Sequence, residues 1–151
     1  MRNKIINKRG QATVEGALVI MIVVLLLLAV VSVGLYIYDM SVYAFAANKA
    51  MDMGISKLSS NTYYDENGYI RTELFLKDKE EIQKAAMDAM SLATGIKATE
   101  DDVIIEVYET DISTDLYILL TGSYNLGFSG LGIRFPDFHY DLTYSYYYSI
   151  L

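Results

Sequence analysis

Between Gly16 and Tyr38 the chain runs for 23 residues without a charge, GALVIMIVVLLLLAVVSVGLYIY. A helix of that length is about 35 Å long, enough to cross a hydrocarbon core about 30 Å thick with some tilt. Buried helices and strands of soluble domains are interrupted by charges or turn residues well before such a length. A membrane-spanning helix is therefore expected over residues 16–38. Tyr36 and Tyr38 stand at its outer end, where amphipathic rings favour the headgroup zone.

Charge gives this span a direction. Residues 1–10 carry Arg2, Lys4, Lys8 and Arg9 and no acid. The other 141 residues hold 8 of the 12 basic groups against all 19 acidic ones, a formal charge of -11 within the chain's -7. Asp39 follows the span, and the next cation is Lys49. Basic flanks stay on the cytoplasmic side, so the amino terminus is expected inside and the acidic body outside, in a single pass. An acidic body also argues against nucleic acid, whose phosphates call for clustered Lys and Arg. There are no cysteines, which removes disulfides, thiolate-held zinc and thiol nucleophiles together.

A basic tip followed by an apolar run is also the pattern of a secretory signal peptide. Here the run is longer than a signal core and leads into more helix rather than an A-x-A-like site. Between tip and run stands Arg9-Gly10-Gln11-Ala12-Thr13-Val14-Glu15. Glycine ends the basic leader, and an acid follows five residues later at the edge of the span. This resembles the processing site of type IV prepilins. The stretch RGQATVEGALVI is most similar to the TadE-like minor pilins, or pseudopilins, of the tight-adherence apparatus, specifically over residues 8–30.

The resemblance implies a prepilin peptidase that cuts after Gly10 on the cytoplasmic side and leaves the apolar segment in place. Gln11 would be the mature amino terminus, where many type IVa pilins have Phe, and Glu15 the fifth mature residue. It further implies that Glu15 neutralises the freed amine of a neighbouring subunit during assembly. The physics is compatible, because a charge pair in a low dielectric is strong and breaking it strands one charge. A helix-start acid wetted by headgroups is the plainer account of Glu15 taken alone. Ala12 and Gly16 have the spacing that lets membrane helices approach closely.

Beyond the span, Tyr43, Ala46, Ala47, Ala50, Met51 and Leu58 recur at helical spacing. One helix is expected over residues 13–58, with Gly54 weakening its last turn. Asn67-Gly68 reads as a hairpin turn. Asp78-Lys79-Glu80-Glu81 reads as the capped start of a second helix, whose apolar face is Ile82, Ala85, Ala86, Ala89, Met90 and Ala93, with Gly95 as its stop. The period then changes to two: strands are expected over 103–108, 116–124 and 139–150, separated by a turn at 111–115 and a glycine-rich loop at 125–137. The expected fold is α+β: a long amino-terminal helix, membrane-spanning in its first half, packed on a small antiparallel sheet with a second helix, as in pilins. The organisation would be a cleaved leader over 1–10, a long helix over 11–58 and an extracytoplasmic domain over 59–151.

Signals for chemistry are weak. His139 is the only histidine, flanked by Asp137 and Asp141 on a strand face, a poor set for a transition metal. Gly127-Phe128-Ser129-Gly130 lacks the nucleophile-elbow spacing, and the stretch from Asp65 to Gly68 lacks the acids that open and close a calcium loop. No cofactor, metal or enzyme activity is expected. On the last strand Tyr140, Leu142, Tyr144, Tyr146, Tyr148 and Ile150 share a face. The tyrosines there, Tyr140, Tyr144, Tyr146 and Tyr148, fit either packing across the sheet or a contact surface for a neighbour. The expectation is a minor pilin or pseudopilin subunit of a tight-adherence pilus or related secretion filament, in the inner membrane or drawn into a surface pilus. Its partners would be a prepilin peptidase, other pilin subunits, the membrane assembly platform and the lipid bilayer. The rival is a single-pass anchored binding or sensory protein that never enters a filament.

Overall fold

Helix α1 runs from Arg2 to Ser60 in the computed structural model of the protein, which describes residues 2–96, 98–124 and 135–148, with side chains from Gly10 onward. The sequence suggested a start near Thr13. The helix begins earlier because nothing in the leader breaks it: there is no proline, and a single glycine costs only about 1 kcal/mol. Gly54 does not weaken the end either. Its missing Cβ makes room for the Leu116 side chain from the sheet, which a methyl group there would strike. The last carbonyls of α1 are taken by hydroxyls, Ser60 Oγ donating to Lys57 O at 2.8 Å and Thr62 Oγ1 to Ser59 O at 3.1 Å.

The chain divides into two compact units, one ending at Leu35 and one from Tyr36 to Leu151. The first is made of helix α1 alone. The second is α+β. After α1 come β1 (Thr62–Tyr64) and β2 (Ile70–Thr72), an antiparallel hairpin, then α2 (Leu76–Met90). A 3-10 turn at Glu100–Asp102 leads into β3 (Val103–Glu109), β4 (Ser113–Gly122) and β5 (Phe138–Tyr147), a three-stranded antiparallel sheet in the order β3-β4-β5.

The Asn-Gly pair lies in the turn of the β1–β2 hairpin, as the sequence suggested, but the turn is not of type I′. Of the two, Gly68 alone has positive φ, at 81°, and the Gly68 N–H donates to Asp65 O at 3.0 Å. A two-residue turn of type I′ would need positive φ at Asn67 as well. Asp65 holds the loop by accepting the N–H groups of Asn67 and Tyr69 at 2.9 and 2.8 Å.

Asp78 is three residues inside α2 rather than its cap. The cap is Phe75, whose N–H donates to Asp78 Oδ2 at 3.2 Å. Helix α2 stops at Met90, with Ser91 as C-cap, so Ala93 lies beyond the helix and Gly95 is not its stop. The strands shift by a few residues from expectation, to 113–122 and 138–147, and the turn between β3 and β4 tightens to residues 110–112. There Thr110 Oγ1 accepts the Ser113 N–H at 2.9 Å. The loop expected at 125–137 lies outside the described residues from 125 to 134, as does Ile150.

The core lies within the second unit. One face of α1 (Tyr43, Ala46, Ala47, Ala50, Met51 and Leu58) meets Ile82, Ala86 and Met90 of α2 and Leu116, Ile118 and Leu120 of β4. The run of small side chains on α1 lets the sheet close in. Each large aliphatic fully buried here contributes about 1.5–3 kcal/mol. In the sheet, Leu116 pairs with Tyr144, Ile118 with Leu142 and Leu120 with Tyr140.

Candidate assembly segment

Among its described residues the amino-terminal unit has no core of its own. Residues 10–31 are all exposed, and none of its most apolar 18-residue stretch is buried. Leu26 is 62% exposed and Val30 70%. A Cβ added at Gly10, Gly16 or Gly34 would meet nothing within 4 Å. Among the described residues, α1 is the one helix long and apolar enough to cross a membrane. A continuous apolar surface of this size requires a bilayer or other subunits to cover it.

Gln11 and Glu15 stand at the start of this surface, on either side of Thr13. Gln11 Nε2 donates to Glu15 Oε1 at 3.0 Å, four residues along the same helix. Sequence reasoning assigned Gln11 only a backbone role. The signal that could have found the bond is the i, i+4 spacing of an amide and a carboxylate.

A second site lies at the start of the second unit, and Asp39 is its centre. The residue is fully buried, with 0% of its surface exposed. Oδ1 accepts the Thr94 N–H at 2.8 Å and the Thr94 hydroxyl at 3.1 Å, and Oδ2 accepts the Gly95 N–H at 2.8 Å. The acid that marked the end of the span in the sequence thus binds the segment after α2 to α1. Its spacing with Val42, Tyr43, Ala46 and Ala47 on the buried face was the available clue. Beside it Tyr36 stacks on Phe135 and Phe138, ring centroids 4.8 and 4.9 Å apart, and meets Tyr124 edge-on at 5.2 Å. The hydroxyls of Tyr43 and Tyr124 are buried without a hydrogen-bond partner among the described residues. Burial above all, then the Asp102 and Asp39 carboxylates, pushes the Tyr43 hydroxyl well above its ordinary value. Burial and Asp39 raise Tyr124 in the same way.

The family model for TadE-like proteins matches residues 10–52. Over those residues the chain is similar to TadE-like proteins. The match opens at Gly10, takes in Gln11, Glu15 and the whole apolar run, and continues through Asp39 to the core face of α1. No curated protein and no solved structure matches the chain.

Outside the TadE-like segment, the face of β5 that carries Tyr140, Tyr144 and Tyr146 is half-buried, and Tyr148 is buried. Tyr140 and Tyr144 pack against the core, and the Tyr148 and Thr114 hydroxyls share a hydrogen bond. Besides Tyr38 on α1, the exposed tyrosines among the described residues are Tyr63, Tyr64 and Tyr69 of the hairpin, Tyr108 of β3 and Tyr147 of β5. Tyr147 breaks the other face of the β5 alternation, which is the pattern that exposes it. Asp137, His139 and Asp141 are exposed, and among the described residues no three His, Cys, Asp or Glu side chains converge as metal ligands. Charged side chains instead fasten the joints of the fold. Lys57 bridges Asp78 at 3.3 Å and Glu81 at 2.5 Å, tying the end of α1 to the start of α2.

Proposed function

We propose that the protein is a minor pilin-like subunit of a tight-adherence pilus or related secretion filament, a structural component rather than an enzyme. A prepilin peptidase removes residues 1–10 after Gly10 at the cytoplasmic face and leaves Gln11 as the new terminus. The chain crosses the inner membrane once, its terminus inside and its α+β unit outside. On assembly the apolar helix passes from lipid to the filament interior. That exchange trades one apolar surrounding for another, so packing and polar contacts, rather than hydrophobic transfer, decide whether it is favourable. Glu15 then sets register by pairing with the freed amine of a neighbour. The outer unit offers contacts through Tyr147 and the hairpin tyrosines, with Tyr140, Tyr144 and Tyr146 contributing their accessible edges, while Tyr148 is buried.

The observation that carries this reading is the uncovered apolar surface over residues 10–31, led by the Glu15 carboxylate, inside a stretch that matches the TadE-like model. A simple anchor needs no leader removal, so processing separates the two readings. Co-expression with a cognate prepilin peptidase is expected to remove residues 1–10 from the parent, and a bulky side chain in Gly10→Val to prevent it. A parent that keeps its leader beside an active peptidase would contradict the proposal.

A further inference from the structure

The Gln11–Glu15 hydrogen bond joins a carboxamide and a carboxylate next to the proposed cut. We infer that it guards the new amino terminus against cyclisation. This rests on the removal of residues 1–10, which makes Gln11 terminal.

A terminal glutamine carries its own electrophile. The α-nitrogen can attack the side-chain carbon Cδ; a Cδ–N bond forms and closes a five-membered lactam. The Cδ–Nε2 bond breaks, a proton passes from the attacking to the departing nitrogen, and ammonia leaves. No oxidant or co-reactant is needed. α-Amines titrate near about pH 8, so a reactive neutral fraction exists at cytoplasmic pH. The lactam nitrogen no longer takes up a proton, so the terminal cation is lost. In a filament held by pairing that cation with a neighbour's Glu15, each cyclised subunit leaves one carboxylate without its partner.

Ring closure requires the Gln11 carboxamide to fold back onto its own backbone nitrogen. In the structure it reaches the other way, one helical turn forward, with Nε2 3.0 Å from Glu15 Oε1. Two effects oppose the reaction. The bond holds Cδ away from the α-nitrogen. Donation to a carboxylate also pushes the Nε2 lone pair further into the carbonyl, and so leaves Cδ a poorer electrophile. In the proposed membrane setting the neighbouring apolar run lowers the local dielectric, which strengthens such a bond relative to water. Glu15 thus acts twice: within its own chain it keeps the terminal amine intact, and between chains it pairs with one.

The test follows the mass of the amino-terminal peptide over days in the full-length chain, reconstituted in vesicles and cut by the prepilin peptidase. A second set carries, in place of residues 1–10, a leader removed by an added site-specific protease, so that Gln11 becomes terminal whatever the peptidase does. Glu15→Val is expected to lose ammonia about fivefold faster than the parent. Glu15→Gln keeps an acceptor oxygen at the same reach and is expected between the two, nearer the parent. Lactam formation in Glu15→Val no faster than in the parent overturns the inference. A leader retained beside active peptidase overturns the processing proposal instead, while the added-protease set still reads the guard.

Discussion

The Gly95 N–H donates to Asp39 Oδ2 at 2.8 Å across 56 residues of sequence, and the adjacent Thr94 N–H takes the other carboxylate oxygen at 2.8 Å. A side-chain acceptor buried at 0% exposure is thus satisfied by three donors from one short segment. Asp39→Ala strands those donors away from water, at a cost of about 1–3 kcal/mol. Asp39→Asn keeps one acceptor oxygen but turns an amide N–H toward another donor, and is expected to cost a similar amount. Urea unfolding of the full chain in detergent, followed by near-ultraviolet tyrosine dichroism, measures both. Parent-like midpoints would show that the segment after α2 is held by other contacts.

Gly122 and Tyr43 form a second tight pair. A Cβ at Gly122 would meet the Tyr43 hydroxyl, lie 2.9 Å from Tyr43 Cζ and 3.2 Å from Ile96 Cγ2. The tyrosine ring is stiff and buried, so Gly122→Ala is expected to cost about 1–3 kcal/mol. Tyr43→Phe removes a buried hydroxyl that has no partner among the described residues, and is expected to be neutral or stabilising by about 1 kcal/mol. In the double variant the phenylalanine relieves part of the clash, so the two changes combine to less than the sum of their separate effects. Strict additivity in a double-mutant cycle would separate the two residues.

Acid stability follows from Asp65 and Asp78. The Tyr69 N–H is the largest influence on Asp65 and, with Arg71 and Asn67, holds its carboxyl below the ordinary range against partial burial. At Asp78 burial is the largest influence and acts upward, but Asn61, Lys57 and the Phe75 N–H together outweigh it and leave the carboxyl low. Groups depressed by folding stabilise above the unfolded value, about 3.9, and lose that contribution as pH falls through the folded value. Stability is therefore expected to fall below about pH 4, with a shallower fall in Asp65→Asn and Asp78→Asn. At the other extreme Tyr43, raised by folding, contributes below about pH 10 and ceases to as pH climbs through its elevated value. Urea midpoints measured across pH test both limbs; an acid limb unchanged in both asparagine variants would assign it to other carboxylates.

The long helix, the core face of α1 and the strands were legible because their hydrophobic periods are unambiguous. Strand ends slipped by up to three residues because hydroxyl and backbone contacts, such as Thr110 with Ser113, set them, and periodicity does not see those contacts. The start of α2 was misplaced for a related reason. Asp78 looks like a cap in sequence, but its carboxylate reaches back to the Phe75 N–H while also binding Asn61 and Lys57, partners brought in by the fold. In the candidate assembly segment, the roles proposed for Gly10 and Glu15 rest on their positions in the sequence. Asp39 was missed because sequence alone does not show that a single acid beyond an apolar span is buried against two backbone N–H groups from far along the chain.

The leader, the span and Glu15 meet in one measurement: the intact mass of the protein recovered from membranes and from sheared surface material, for the parent and for Glu15→Val. Valine makes the helix start more apolar, so the variant is expected to insert and to be cut. Without the carboxylate, a neighbour's amine enters the filament unpaired, at a cost of a few kcal/mol. The parent is expected in the sheared fraction at the mass that begins with Gln11. Glu15→Val is expected at the corresponding shortened mass in the membrane and depleted from the sheared fraction. A parent of full mass confined to the membrane, or a valine variant sheared off as abundantly as the parent, would contradict the assembly role given to Gly10 and Glu15.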